Sequence, residues 1–231
     1  MRLRLNRRRT LALAIAALSV LVLFYVRFAP DRYDITAPLS LIEPPTVVTP
    51  FKLKLMGVEA CYAALDQASV RYEKLSDRET GRGCGFHQSV LIKQTSVPWG
   101  EGLSLTCPMA AALVMWERHD LQPAAQERFG KPVVLIENYG SYACRNINNA
   151  ARGSRSEHAR ANAIDISGFV LQGGTSIAVR RDWRGRDDEA RFLRRLHRSG
   201  CFYFNTVLGP DYNALHEDHF HFDQGNYRSC R

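Results

Sequence analysis

The stretch His216-Glu217-Asp218-His219-Phe220-His221 packs three histidines and two carboxylates into six residues. His219 and His221 are two apart, and side chains two apart share a face only on a strand. The run therefore predicts a strand over residues 219–223 with both imidazoles turned into one cleft. A second cluster lies upstream: Ser156-Glu157-His158-Ala159-Arg160-Ala161-Asn162-Ala163-Ile164-Asp165. His158 and Asp165 are seven apart, which on a single helix separates them by about two turns, too far to share one ion. They converge if the chain turns between them and Asp165 lies on the strand that follows. Residues 163–171 alternate and read as that strand, and Ala159, Ala161 and Ala163 permit tight packing at the turn.

Working outward, residues 56–67 carry helical spacing of apolar residues. Cys107-Pro108 opens a helix through residue 119, with proline in its first turn. Residues 132–138 read as a buried strand. Residues 187–199 read as a charged helix closed by Gly200, and residues 202–208 as a further strand. Helices early and strands interleaved late predict an α+β fold, with a central, mainly antiparallel sheet flanked by helices.

The formal net charge of +8 raises the question of a nucleic-acid partner. Residues 1–33 hold seven Arg against one Asp, so +6 of that charge is terminal and only +2 falls on the other 198 residues. A folded domain without a basic stripe excludes nucleic acid as a partner. The terminus fits export better. Residues 1–9 form a basic flank, and residues 11–26 an uncharged, almost wholly apolar run of about 16–18 residues. No small-x-small cleavage pattern follows it. Residues 10–28 are thus expected to be an uncleaved signal anchor, a cleaved signal peptide being the alternative. Residues 29–50 hold five of the ten prolines and read as a tether, leaving residues 51–231 as the folded domain. Six cysteines without a CxxC pair, in an exported chain, predict three disulfides, with Cys201–Cys230 the favoured pairing.

A catalytic zinc takes three protein ligands, commonly imidazole and carboxylate, and keeps a position for water. His158, Asp165, His219 and His221 supply such donors, and spacing leaves His219 open as a fourth ligand. His87, His119 and His197 have no comparable company and read as structural or surface residues. Strand alternation sets Glu217 on the face of His219 and His221, and Asp218 on the face of His216.

The pattern Ser-x-His-x6-Asp, followed by His-x-Asp-His-x-His near the C-terminus, resembles the zinc D-alanyl-D-alanine carboxypeptidases and murein endopeptidases, whose superfamily includes the hedgehog signalling domain. With Glu137-Asn138-Tyr139 and Cys144-Arg145, the stretch Cys107 through Cys230 is also similar to the bacterial extensin-like C-terminal family. The resemblance covers roughly residues 55–231. Two departures stand out: Ala161 where many relatives have Gly, and Phe220 where Trp is frequent. The resemblance implies Zn2+ held by His158, Asp165 and His221, with Asp218 as general base, His219 as oxyanion stabiliser and His216 supporting the base. Arg152 and Arg155 are candidates to hold a substrate carboxylate, with Tyr142 and Tyr139 lining the cleft.

These readings imply a zinc-dependent peptidoglycan peptidase, a D,D-endopeptidase or D,D-carboxypeptidase acting on stem-peptide or cross-link bonds. Its location would be the bacterial inner membrane, single-pass, with the domain in the periplasm. The alternative from another class is a non-catalytic, zinc-stabilised wall-binding module.

Overall fold

The structure, a computed structural model, describes residues 7–28 and 34–231. Residues 1–6 of the expected basic flank and residues 29–33 of the expected tether lie outside the described residues. Helix α1 (Arg7–Phe28) leaves its apolar side chains exposed, among them Leu11, Ile15, Val20 and Phe24. Among the described residues no helix is long and apolar enough to cross a membrane. The chain joins the folded body before residue 51. Leu41 is fully buried and its carbonyl accepts from His119 Nε2 at 3.1 Å.

Three further helices pack over a sheet region: α2 (Thr49–Leu55), α3 (Val58–Gln67) and α4 (Cys107–Trp116). Helix α4 is buried along nearly its whole length, which suits its uninterrupted apolar run. A π-turn over Glu117–Leu121 leads into α5 (Gln122–Phe129), and α6 (Val179–Asp182) and α7 (Asp188–Tyr203) follow. Strands β1 (Arg71–Lys74), β4 (Ser89–Gln94) and β5 (Pro98–Thr106) form a small antiparallel sheet, and β2 (Arg78–Gly81) pairs with β3 (Cys84–Phe86). This region has no counterpart in the sequence reading. The main sheet contains β6 (Val133–Gly140), β7 (Ala163–Leu171), β8 (Ser176–Ala178), β9 (Thr206–Leu208), β10 (Phe220–Asp223) and β11 (Ser229–Cys230). Its order is β11-β9-β10-β7-β6, with β8 also on β7. All its pairings are antiparallel except β11 with β9, so the class is α+β as expected.

Two expectations need correction. Gly200 does not close α7; it lies inside the helix, which runs on to Tyr203. A Cβ at Gly200 would meet the Phe222 ring at 3.1 Å, so glycine here lets α7 sit against β10. For the same reason the strand expected over residues 202–208 shrinks to Thr206–Leu208.

Strand β10 shows how packing sets the site. Phe220 and Phe222 are fully buried; Phe222 meets Trp116 edge-on at 5.3 Å and stacks on Phe204 at 4.7 Å. Each such ring contributes about 1.5–3 kcal/mol through burial. Phe220 pairs with Ile166 and Phe222 with Ile164 on β7, which sets His221 directly opposite Asp165 on the other face. A slip of one residue would turn His221 into the core and expose both rings, so the hydrophobic pattern itself holds the register.

Six cysteines form three disulfides: Cys61–Cys107, Cys84–Cys144 and Cys201–Cys230. The last ties β11 to α7, as expected from the sequence.

Candidate metal centre and cleft

Asp165 and His221 meet across the β7–β10 pair, and His158 arrives from a short 3-10 turn, Glu157–Arg160. Ser156 caps that turn, its hydroxyl accepting from the His158 N–H at 3.3 Å. Ala161 ends it in the left-handed conformation, at φ 55°. That reversal brings His158 back over Asp165, in a conformation that glycine adopts without strain and alanine does not.

The three side chains converge. His158 Nε2 lies 3.1 Å from Asp165 Oδ2 and 3.1 Å from His221 Nδ1, and His221 Nδ1 lies 2.8 Å from Asp165 Oδ1. These three are the one His/Cys/Asp/Glu group among the described residues suited to holding a metal ion. His158 and Asp165 are buried and His221 is half-buried.

The outer ring nitrogens fix which atoms face inward. His158 Nδ1 donates to the Ser141 carbonyl at 3.2 Å, so Nε2 turns its lone pair toward Asp165. His221 Nε2 donates to Asp223 Oδ2 at 3.1 Å, leaving Nδ1 at the centre. Asp223 is itself buried and held by the Gly225 N–H at 2.8 Å. Carboxylates and carbonyls placed behind imidazoles in this way orient ligands in metal sites.

Two inward nitrogens and a carboxylate within about 3 Å of one another demand a cation. Without a metal a proton fills the role. Burial on its own would lower His221, but hydrogen bonds and charge from Asp165 and Asp223 push it up to about 9. Burial on its own would raise Asp165, yet His158 and His221 hold it well below the usual carboxylate range.

Beside the triad, His219 Nε2 lies 3.6 Å from Asp165 Oδ1, while its Nδ1 donates to Asp218 Oδ1 at 2.8 Å. Asp218 also accepts from the Tyr139 hydroxyl at 3.1 Å. Burial opposes ionisation of Asp218, but these two donors outweigh it and lower its pKa. Burial, then the Asp218 charge, raises Tyr139. His216 Nδ1 meets Asn213 Oδ1 at 2.8 Å, and the same oxygen accepts from the Leu215 N–H at 3.0 Å. An oxygen that only accepts leaves His216 protonated on Nδ1, with a free lone pair on Nε2. Burial, then the neighbouring His219 and His221 rings, lowers His216 to about 4.

The triad opens into a cleft of about 430 Å³ lined by Arg145, Arg155, Tyr212, His216 and His219, among others. Arg145 Nη2 lies 3.6 Å from Asp165 Oδ2. Of the residues expected to bind substrate, only Arg155 lines this cleft, its Nε donating to the Arg82 carbonyl and its Nη1 to Asn146 Oδ1. Tyr142 turns instead to the Thr80 hydroxyl and the Phe86 ring, and Arg152 sits on an exposed loop. Sequence reasoning missed Arg145, Asp223, Asn213 and the Ser141 carbonyl. Asp223 alone left a trace, lying two residues past His221 on the same strand face.

The family model for the extensin-like protein C-terminus matches residues 59–231. The chain belongs to that family. No curated protein and no solved structure matches the chain. The matched segment of the extensin-like chain holds every residue of the triad and its surroundings, whereas α1 and α2 precede it.

Proposed function

We propose that this extensin-like protein is a zinc-dependent peptidase of the bacterial envelope. It would act on peptidoglycan stem or cross-link peptides as a D,D-endopeptidase or D,D-carboxypeptidase. The observation that supports this best is the convergence of His158 Nε2, His221 Nδ1 and Asp165 beside an open cleft. Two nitrogens and one oxygen suit zinc, and three protein ligands leave a position for water. Zinc held there supplies a Lewis acid and a bound water whose pKa falls toward ~7.

The remaining residues divide the work. His219 presents Nε2 toward the triad and is anchored from behind by Asp218, so the pair acts as the base. His219 takes the proton of the attacking water, Asp218 stabilises the imidazolium, and the proton returns to the leaving amine. The base role that the family motif gives to Asp218 is thus exercised through His219. His216, neutral and with Nε2 free to accept, supports the base by taking a hydrogen bond from the attacking water or the leaving amine. Arg145 and Arg155 bind carbonyl or carboxylate groups of the substrate.

In this reading the chemistry lies outside the cytoplasm. A basic flank followed by an apolar run reads as an export signal, and three disulfides suit the oxidising periplasm.

The test is to incubate the full chain, in detergent and loaded with zinc, with purified muropeptides and to follow products by mass spectrometry. Cleavage that a chelator stops and zinc restores is the expected result. Intact muropeptides in the presence of bound zinc would leave only the wall-binding alternative.

A further inference from the structure

Behind the cleft lies a second chamber of about 600 Å³. Glu157, Gly225 and Asn226 line both cavities, so the two adjoin at a saddle of these three residues, with Glu157 next to His158 in the chain. Glu157 is fixed there: its Oε2 accepts from Asn162 Nδ2 at 2.7 Å, and its carboxyl rests against Gly225, where a Cβ would meet it at 2.9 Å. One side of the saddle is therefore a held side chain, Glu157, set against the Gly225 backbone.

The second chamber is polar, and its chemistry is specific. Lys54, Gln88, Arg160 and Asn226 line it, are exposed, and make no side-chain hydrogen bond or ion pair within the described residues. The acidic Glu79 of the same chamber is occupied by His87 at 3.1 Å. The chamber thus offers the Lys54 and Arg160 cations beside the carboxamides of Gln88 and Asn226, with the Glu157 carboxylate at the saddle held by Asn162. Carboxamides donate to and accept from peptide groups, and the cations bind carboxylates.

We propose that this chamber binds a second, carboxylate-bearing peptide branch of the substrate while the scissile bond lies at the triad. The inference rests on the peptidase reading and narrows it: the substrate is a branched, cross-linked peptide, and the protein is an endopeptidase. A linear stem peptide with its scissile bond at the triad has no second branch to offer the chamber's two cations.

The experiment compares kcat/KM of the zinc-loaded full chain on a purified peptide-cross-linked muropeptide dimer and on the uncross-linked pentapeptide monomer. The dimer is expected to be favoured by tenfold or more, and the Lys54→Glu/Arg160→Glu variant to lose about tenfold on the dimer through KM, with zinc content unchanged. Asn226→Trp, which obstructs the saddle from an exposed position, is expected to lower dimer turnover likewise. Equal or better turnover of the monomer overturns this inference and leaves the peptidase reading standing. A dimer KM unmoved in both variants does the same. Turnover of neither substrate overturns the peptidase reading, and this inference with it.

Discussion

Two buried carboxylates in this molecule meet opposite fates. Asp165 lies between the His158 and His221 rings and is held ionised, far below its ordinary range. Glu117, 1% exposed at the start of the π-turn, is pushed up to about 7 by burial. Its Oε2 accepts from the Thr95 hydroxyl at 2.6 Å and from the Ser96 hydroxyl at 2.7 Å, while Oε1 has no partner. Both carboxylates lose water, so burial does not separate them. What separates them is whether a cation can stand beside the carboxylate: imidazoles at Asp165, neutral hydroxyls and the Ser96 N–H at Glu117. Glu117 ties the β4–β5 loop to the helical layer, whereas Asp165 forms a centre that calls for positive charge.

The sharpest way to break this contrast is Asp165→Asn, which keeps the shape and removes the charge. Peptide hydrolysis by this variant is expected to fall to background, and retained turnover in the muropeptide assay would remove Asp165 from the centre. Glu117 gives the next effect. A carboxyl whose folded pKa is raised keeps its proton while the unfolded chain releases it. The contribution of Glu117 to stability is therefore greatest below pH ~4.5, falls as pH rises toward ~7, and is level above that. The total loss is about 3 kcal/mol. Glu117→Gln is expected to flatten that slope in urea titrations taken across this window. An unchanged slope would assign the pH dependence elsewhere.

Smaller again is Asp223→Asn, which spares the contact with Gly225 and weakens the acceptor behind His221. Zinc affinity is expected to drop about 10–100-fold, read by competition with a chromogenic chelator. Least of all is Ala161→Gly. Relief of the left-handed alanine, roughly 1 kcal/mol, is set against a lost buried methyl of similar size. The midpoint of thermal unfolding is expected to move by only a few degrees.

The legible parts of the sequence share one property: the information sits in side-chain spacing. His221 on a strand, Asp165 on the alternating run opposite it, and the apolar helix after Pro108 emerge where spacing places them, whereas His219 precedes β10 and a turn at Glu217 and Asp218 replaces the alternation expected there. The cysteine pairing across Cys201 and Cys230 was readable as well. The small sheet of β1, β4 and β5 was not, because strands such as Arg71–Lys74 face solvent and carry no apolar alternation. Gly200 misled, since a glycine needed for close packing looks like a helix stop until its neighbour Phe222 is known. The Ser141 carbonyl behind His158 has no side-chain signature at all. Arg145 reaches Asp165 from a loop twenty residues upstream, a distance no local pattern encodes. Arg152 and Tyr142 are chemically suited to a substrate cleft, but the chain turns both away from it.

The central claim is that His158, Asp165 and His221 together hold one zinc ion. Titration of the metal-stripped full chain with zinc, by calorimetry at neutral pH, tests it most directly. The account predicts one site per chain, lost in Asp165→Asn and kept in Asp218→Asn, because Asp218 stands behind His219 and outside the triad. Zinc binding of equal strength in Asp165→Asn, or none in the unaltered chain, would contradict it.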